Sequence, residues 1–198
     1  MVEAEILKMA RAVQADECKQ SFFYFMQTFW GVIIPETPVF NWHIEYLCNE
    51  LQKLSYYIVN RLPKPYDVII NIPPGSTKTT LVTIMWPAWL WTQDQTIRII
   101  SNSYSGDLSL EHASKSKDII TSDLYRELFP EIMIRRDKSG KGSYENTKKG
   151  ARYSTSTGGT ITGKHAHVII NDDPVNPKQA ESDPLRLQAN EHTKTLSS

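Results

Sequence analysis

Three short apolar runs place the tightest limit on what this chain can fold into. They are "YDVIINI" at 66–72, "TIRIISNS" at 96–103 and "HVIIN" at 167–171. Each is too short for a stable helix and nearly unbroken in hydrophobicity. That pattern predicts strands buried on both faces, as in a parallel sheet covered by helices. The intervening segments repeat in helical steps. "TTLVTIMWPAWLW" at 79–91 reads as a helix containing a proline, and "SGDLSLEHASKSKDIITS" at 105–122 as a helix with polar ends. Strands alternating with helices predict an α/β fold with a mostly parallel sheet flanked by helices.

The first third of the chain is different. Residues 3–29 read as one or two helices, and 33–41 as a proline-punctuated link. Ile44, Leu47, Leu51, Leu54, Ile58 and Leu62 then recur at three- and four-residue steps, an amphipathic helix that "LPKP" ends. The expected organisation is an N-terminal helical segment over 1–62 leading into an α/β core over 63–198. The stretch 137–166, rich in Gly, Ser, Thr and Lys, reads as a β-hairpin with loop, and no internal repeat is present.

Composition excludes several classes. The 198 residues are 40% hydrophobic and 10% aromatic, enough for a packed core. Lys plus Arg and Asp plus Glu each total 22, so no global basic field points to nucleic acid and any DNA contact must be local. Cys18 and Cys48 make no disulfide framework and no C-x-x-C pair, and read as reduced thiols. "MVEAEILKMARAVQADE" lacks the apolar core of a secretory leader, and no apolar run reaches the roughly 18–20 residues of a membrane span.

Behind the first apolar run stands "NIPPGSTKTT", residues 71–80. A phosphate loop needs small residues whose N–H groups converge, a helix N-terminus aimed at the anion, a lysine and a following hydroxyl. Pro74, Gly75, Ser76, Thr77, Lys78, Thr79 and Thr80 offer these between a predicted strand and a predicted helix. The spelling departs from G-x-x-x-x-G-K-[ST], because Ile72 and Thr77 stand where glycines belong. Thr77 cannot take a positive φ cheaply. A plain turn with an exposed lysine is the other reading of this stretch. The third apolar run ends in Asp172 and Asp173. Two carboxylates at the C-terminal end of a buried strand suit Mg²⁺ and an attacking water, one acid for each. A bare "DDP" also reads as a turn with a helix cap.

Taken together, "NIPPGSTKTTLVTIMWPAWLW", "SNSYSGDLSLEHASKSKDIITS", "LYRELFP" and "STSTGGTITGKHAHVIINDDPVNPKQAESD" resemble the ATPase domain of tailed-bacteriophage large terminase subunits, over about residues 40–198. The resemblance implies a P-loop NTPase fold, with ATP and Mg²⁺ as substrate and cofactor. It makes Lys78 the phosphate-loop lysine, and Thr79 and Asp172 the metal-holding pair. Asp173 falls at the catalytic position, where many relatives have glutamate. The segment around Trp42 and His43 resembles the one that packs near the adenine. A helix start with a core aromatic is an equal reading there. Gly75 stands where many relatives carry an arginine, so the charge must come from elsewhere. Arg152 is the candidate, supplied to a neighbouring subunit, with Arg135, Arg136 and Arg186 as rivals.

By the same resemblance, the intact protein would act on double-stranded DNA as a homo-oligomeric ring. Its partners would be the portal and a small terminase subunit, in the cytoplasm of an infected bacterial host. A helicase-type ATPase shares the loop and acids, but "GGTITGKHAHVIINDDP" favours the terminase reading. The chain ends at "EHTKTLSS", before the further strand and nuclease domain that relatives carry, so it reads as truncated and without nuclease activity. A non-hydrolysing nucleotide-binding or docking module is the alternative.

Three weaker features remain. His165 and His167 would share one side of a strand, without a third ligand spaced to help. Lys138, Lys141, Lys148, Lys149 and Arg152 cluster around the hairpin, as a DNA-contacting patch or a solvated loop. The first helix, with Glu3, Glu5, Lys8 and Arg11, suits either a partner or an ordinary exposed face.

Overall fold

Ser21 divides the N-terminal stretch into two helices, α1 (Val2–Gln20) and α2 (Phe22–Ile33). Its backbone is extended and its hydroxyl accepts the Tyr24 N–H, which satisfies a donor that a new helix leaves free. The computed structural model describes residues 2–159, 163–176 and 181–197. Asn41 opens α3 (Trp42–Val59), which buries Ile44, Leu47 and Leu51 of the predicted stripe and half-buries Leu54 and Ile58, while Leu62 lies beyond the helix end and is exposed.

A continuous helical stretch occupies 78–93, made of a π-helical segment (Thr80–Met85) followed by α4 (Trp86–Gln93). Next come β1 (Arg98–Ser103), α5 (Gly106–Thr121) and the short α6 (Asp123–Leu128). Then follow β2 (Ile134–Ser139), β3 (Ser143–Asn146), β4 (Ala151–Ser156), β5 (Val168–Asn171) and α7 (Asp183–Ser197).

The five strands form one mixed sheet in the order β2-β3-β4-β1-β5. β1 lies parallel to both β4 and β5, while β2 and β3 join as antiparallel additions. The architecture is therefore α/β, with the parallel part confined to three strands. The predicted hairpin within 137–166 is present as β3 and β4, and 160–162 of that stretch lie outside the described residues.

One expected strand does not form. Residues 66–72 follow Pro63 and Pro65, run into Pro73 and Pro74, and pair with no strand among the described residues. Ile69 is 83% exposed and Val68 37%. Apolar residues favour a strand only when a ladder partner takes their N–H and C=O groups. β1 is already paired on both sides, and none of the other strands pairs with 66–72. Ile70 and Ile72 still pack against the core.

The core is continuous from α1 to β5. Phe22, Phe25, Phe29, Tyr125 and Phe129 are fully buried and stack in contact, with Trp89 against Phe22. Such rings dominate burial energy, at about 1.5–3 kcal/mol for each fully buried large side chain. Ile99, Val168 and Ile170 of the sheet join the same cluster, so the N-terminal helices and the sheet share one core. No helix among the described residues is long and apolar enough to cross a membrane.

Candidate functional site

The turn before the helix is built on two left-handed residues. Gly75 has φ +79° and Thr77 φ +61°, while Ser76 N–H donates to Pro73 O at 3.3 Å. A threonine in this region costs roughly 1–2 kcal/mol. By sequence Thr77 counts against a phosphate loop, and the chain adopts the conformation regardless. Helix begins at Lys78, and Leu81 N–H closes on Thr77 O at 3.0 Å. The first N–H groups of any helix have no partner within it. Anion-binding loops present helix N–H groups behind a turn with left-handed residues.

The sheet brings the acids to this helix. β5 runs parallel to β1 with Asn102 opposite Asn171, Asp172 N–H donates to Asn102 O, and Tyr104 N–H donates to Asp173 O, both at 2.9 Å. Asp172 and Asp173 therefore sit just past the C-terminal end of β5, locked to the end of β1. Lys78 Nζ donates to Asp173 Oδ1 at 2.5 Å and lies 3.4 Å from Asp172 Oδ1. Asp172 is buried at 5% exposure, whereas the Asp173 side chain is 59% exposed. Asp173 has φ +46°. Of the four non-glycine residues with positive φ among the described residues, two thus meet at this lysine, and such strain tends to gather at functional sites.

Burial by itself would lower the Lys78 pKa. The hydrogen bond to Asp173 and the charges of Asp172 and Asp173 outweigh it, and hold the ammonium above the usual lysine value. Asp172 has two further neighbours that the sequence reading missed. Thr83 Oγ1 donates to its Oδ2 at 2.8 Å, and His112 Nδ1 lies 3.9 Å from the same oxygen. Burial depresses the His112 pKa, against the pull of Asp172. The signals were present: Thr83 is one helical turn beyond Thr79 on the same face, and His112 shares a buried polar stripe with Ser109 and Ser116.

The other predicted site residues divide. Pro74, Gly75, Ser76, Thr77, Thr79 and Thr80 form the turn and the head of the helix with Lys78. Trp42 is 75% exposed at the start of α3 and stands edge-on to His43. Among the described residues no hydrogen bond, ion pair or ring contact joins either of them to 74–80.

Arg152 is not where a residue offered to a neighbouring subunit must be. It is 1% exposed, and its Nη2 donates to Thr83 O at 2.6 Å. Ala151 and Arg152, on opposite faces of β4, are both buried, so the start of this strand presents no side chain to a neighbouring subunit. Arg135 pairs with Asp137 and Glu145, Arg186 pairs with Asp183, and Arg136 is exposed. Lys138 also pairs with Glu145 and Lys164 lies over the Tyr153 ring, so part of the hairpin's positive charge is matched locally. His165 and His167 precede β5 instead of sharing a strand face. His167 Nδ1 accepts the Arg98 N–H at 3.0 Å.

Two carboxylates, Asp172 and Asp173, stand side by side at the end of β5, with Lys78 between them and the head of the helix that carries Thr79. Hard oxygen donors suit Mg²⁺, which ordinarily takes one or two carboxylates and completes its shell with phosphate and water. No group of three His, Cys, Asp or Glu is present among the described residues, so there is no all-protein cage. A pair of carboxylates alone would leave most of a Mg²⁺ shell to water or phosphate. Compared with known protein families and with curated protein sequences, the chain shows no match.

Proposed function

We propose that this chain is a P-loop ATPase domain of the kind found in tailed-phage large terminases, binding ATP with Mg²⁺ and hydrolysing it. One observation carries the nucleotide reading. Lys78, at the head of a helix behind a left-handed turn, meets Asp172 and Asp173, the latter 95 residues away in sequence. The terminase assignment, with DNA translocation by a ring of subunits in an infected bacterium, rests on the resemblance of the sequence segments.

In this reading the free N–H groups at 78–80 and the Lys78 ammonium bind the phosphates of ATP. Lys78 exchanges its contact with Asp173 for phosphoryl oxygens and stabilises the charge that develops on them. Thr79 and Asp172 would hold Mg²⁺, which would screen the phosphate charge. Asp173, more exposed and released from Lys78, orients the attacking water. Trp42, though exposed, is free to stack on a base.

A second reading has one observation in its favour. Arg152 is buried, so the charge that an arginine would bring to the transition state is not supplied by the residue expected to do so. The chain would then bind nucleotide without turning it over. Phosphate release and ATP binding, measured over a range of protein concentrations for the natural chain and for Asp173→Asn, separate the two. Asparagine tolerates positive φ, so this substitution preserves the backbone. Turnover that is lost in Asp173→Asn while binding persists supports the ATPase. Binding without turnover in the natural chain supports the second reading, and no binding refutes both.

A further inference from the structure

Asp172 is held from behind by contacts that nucleotide binding alone does not require. Its Oδ2 accepts from Thr83 Oγ1 at 2.8 Å, and Thr83 is 1% exposed within the π-helical segment. In an α-helix the carbonyl of residue 83 accepts the N–H of residue 87. Residue 87 is proline and has none to give. The helix register is shifted just before it, since Trp86 N–H bonds to Leu81 O, five residues back. Thr83 O instead receives Arg152 Nη2 from β4 at 2.6 Å.

Arg152 is an unusual group to find there. It is fully buried, lies 3.4 Å from Ser101 Oγ, and has no carboxylate within ion-pair reach among the described residues. Its Nε and Nη1 have no hydrogen-bond partner among the described residues. A buried cation without a counter-ion is costly unless its environment needs it. The one strong bond it makes fixes the carbonyl of the same residue whose hydroxyl holds Asp172.

We infer that Arg152 and Thr83 are positioning residues for Asp172. The guanidinium on β4 anchors the Thr83 carbonyl, whose donor in a regular α-helix would be the N–H that Pro87 lacks. The anchored Thr83 hydroxyl fixes Oδ2, and this turns Oδ1 toward Lys78 and the head of the helix. Neither residue touches nucleotide. The role of Asp172 as a metal ligand rests on the function proposed above, whereas the relay that orients it is a separate statement about geometry.

The test uses the whole chain with Thr83→Val and Thr83→Ser. ATP affinity is measured by calorimetry with and without Mg²⁺. Outer-shell partners of metal ligands typically contribute tenfold to hundredfold in metal affinity. The expected result is that Thr83→Val leaves metal-free ATP affinity within about twofold and cuts the gain on adding Mg²⁺ by about tenfold or more, while Thr83→Ser retains the gain. Equal loss of both affinities marks a merely structural role and overturns the inference. So does a Thr83→Ser chain as poor as Thr83→Val, or a Thr83→Val chain with its full gain.

A second measurement does not depend on nucleotide. The ¹³C resonance of the Asp172 carboxyl should move in Thr83→Val and return in Thr83→Ser. If the natural chain binds no Mg²⁺·ATP, the functional reading fails while this resonance still decides the relay. A signal unmoved in Thr83→Val overturns it.

Discussion

Thr77 and Gly75 carry the turn at the head of the helix with φ of +61° and +79°. Their left-handed backbone gives opposite expectations for two substitutions. Thr77→Gly removes a strain of roughly 1–2 kcal/mol and adds chain entropy to the unfolded state, for a net gain of about 0.5–1 kcal/mol. Gly75→Ala meets no atom within 4 Å, so its cost is conformational alone, about 1 kcal/mol. In thermal unfolding of a domain this size these are shifts of roughly 2–4 °C, upward and downward. Lys78 and the two acids were legible in the sequence because each belongs to a short pattern with its own chemistry. Thr83 and His112 could be placed on helix faces from their spacing but not joined to Asp172, because that partner is far along the chain, 89 residues from Thr83, and only the sheet register brings it near. His167 gives a pH expectation. Burial and then the charges of Arg61 and Arg98 lower its pKa, and its neutral Nδ1 accepts the Arg98 N–H. The unfolded chain therefore binds the proton more readily. Stability should be full above the ordinary histidine value of about 6.5 and fall as pH drops through it. His167→Asn should flatten that part of the melting-temperature profile.

The helix from 78 to 93 shows what a proline does inside an element. The sequence predicts a helix with a proline in it, and the chain forms one whose N-terminal half is widened to π geometry. If Arg152 stands in for the N–H that Pro87 lacks, the two positions are coupled. Arg152→Met should cost about 1–3 kcal/mol, the penalty of a buried acceptor left unpaired. The same change in a Pro87→Ala background should cost clearly less, because an alanine at that position can supply the N–H. Additive losses in this double-mutant cycle would contradict the coupling. Gly150, at the start of β4, is an element-level constraint of another kind. A Cβ there would stand 2.1 Å from Gln95 O and 3.0 Å from Ile97 O. Gly150→Ala should displace the β3–β4 turn from β1 and lower the melting temperature markedly, more than Gly75→Ala. Among the strands, 96–103 and 167–171 were readable from their apolar runs because they pair with each other. The run at 66–72 misled, since hydrophobicity reports a wish for burial and says nothing about whether a ladder partner exists.

At the scale of the molecule, α1–α3 and the sheet share one aromatic core, which the sequence announced through "CKQSFFYFMQTFW" without saying what it packs on. Phe25 and Phe29 reach Tyr125 and Phe129, so the N-terminal helices brace the helices that follow β1. The same core holds Leu81, Ile84 and Met85 of the helix behind the turn, and Val168 and Ile170 of the strand behind the acids. The lysine and the carboxylates are thereby presented from two elements seated on one packed body, as preorganised charge requires. The central claim is that this presentation is a site for Mg²⁺·ATP. The most direct measurement is calorimetric titration of Mg²⁺·ATP into the natural chain, into Lys78→Ala, and into Lys64→Ala as a control at an exposed lysine away from the turn. The expected result is saturable one-to-one binding that survives in Lys64→Ala and is lost in Lys78→Ala. Absence of saturable binding to the natural chain, or binding unchanged by Lys78→Ala, would contradict the claim.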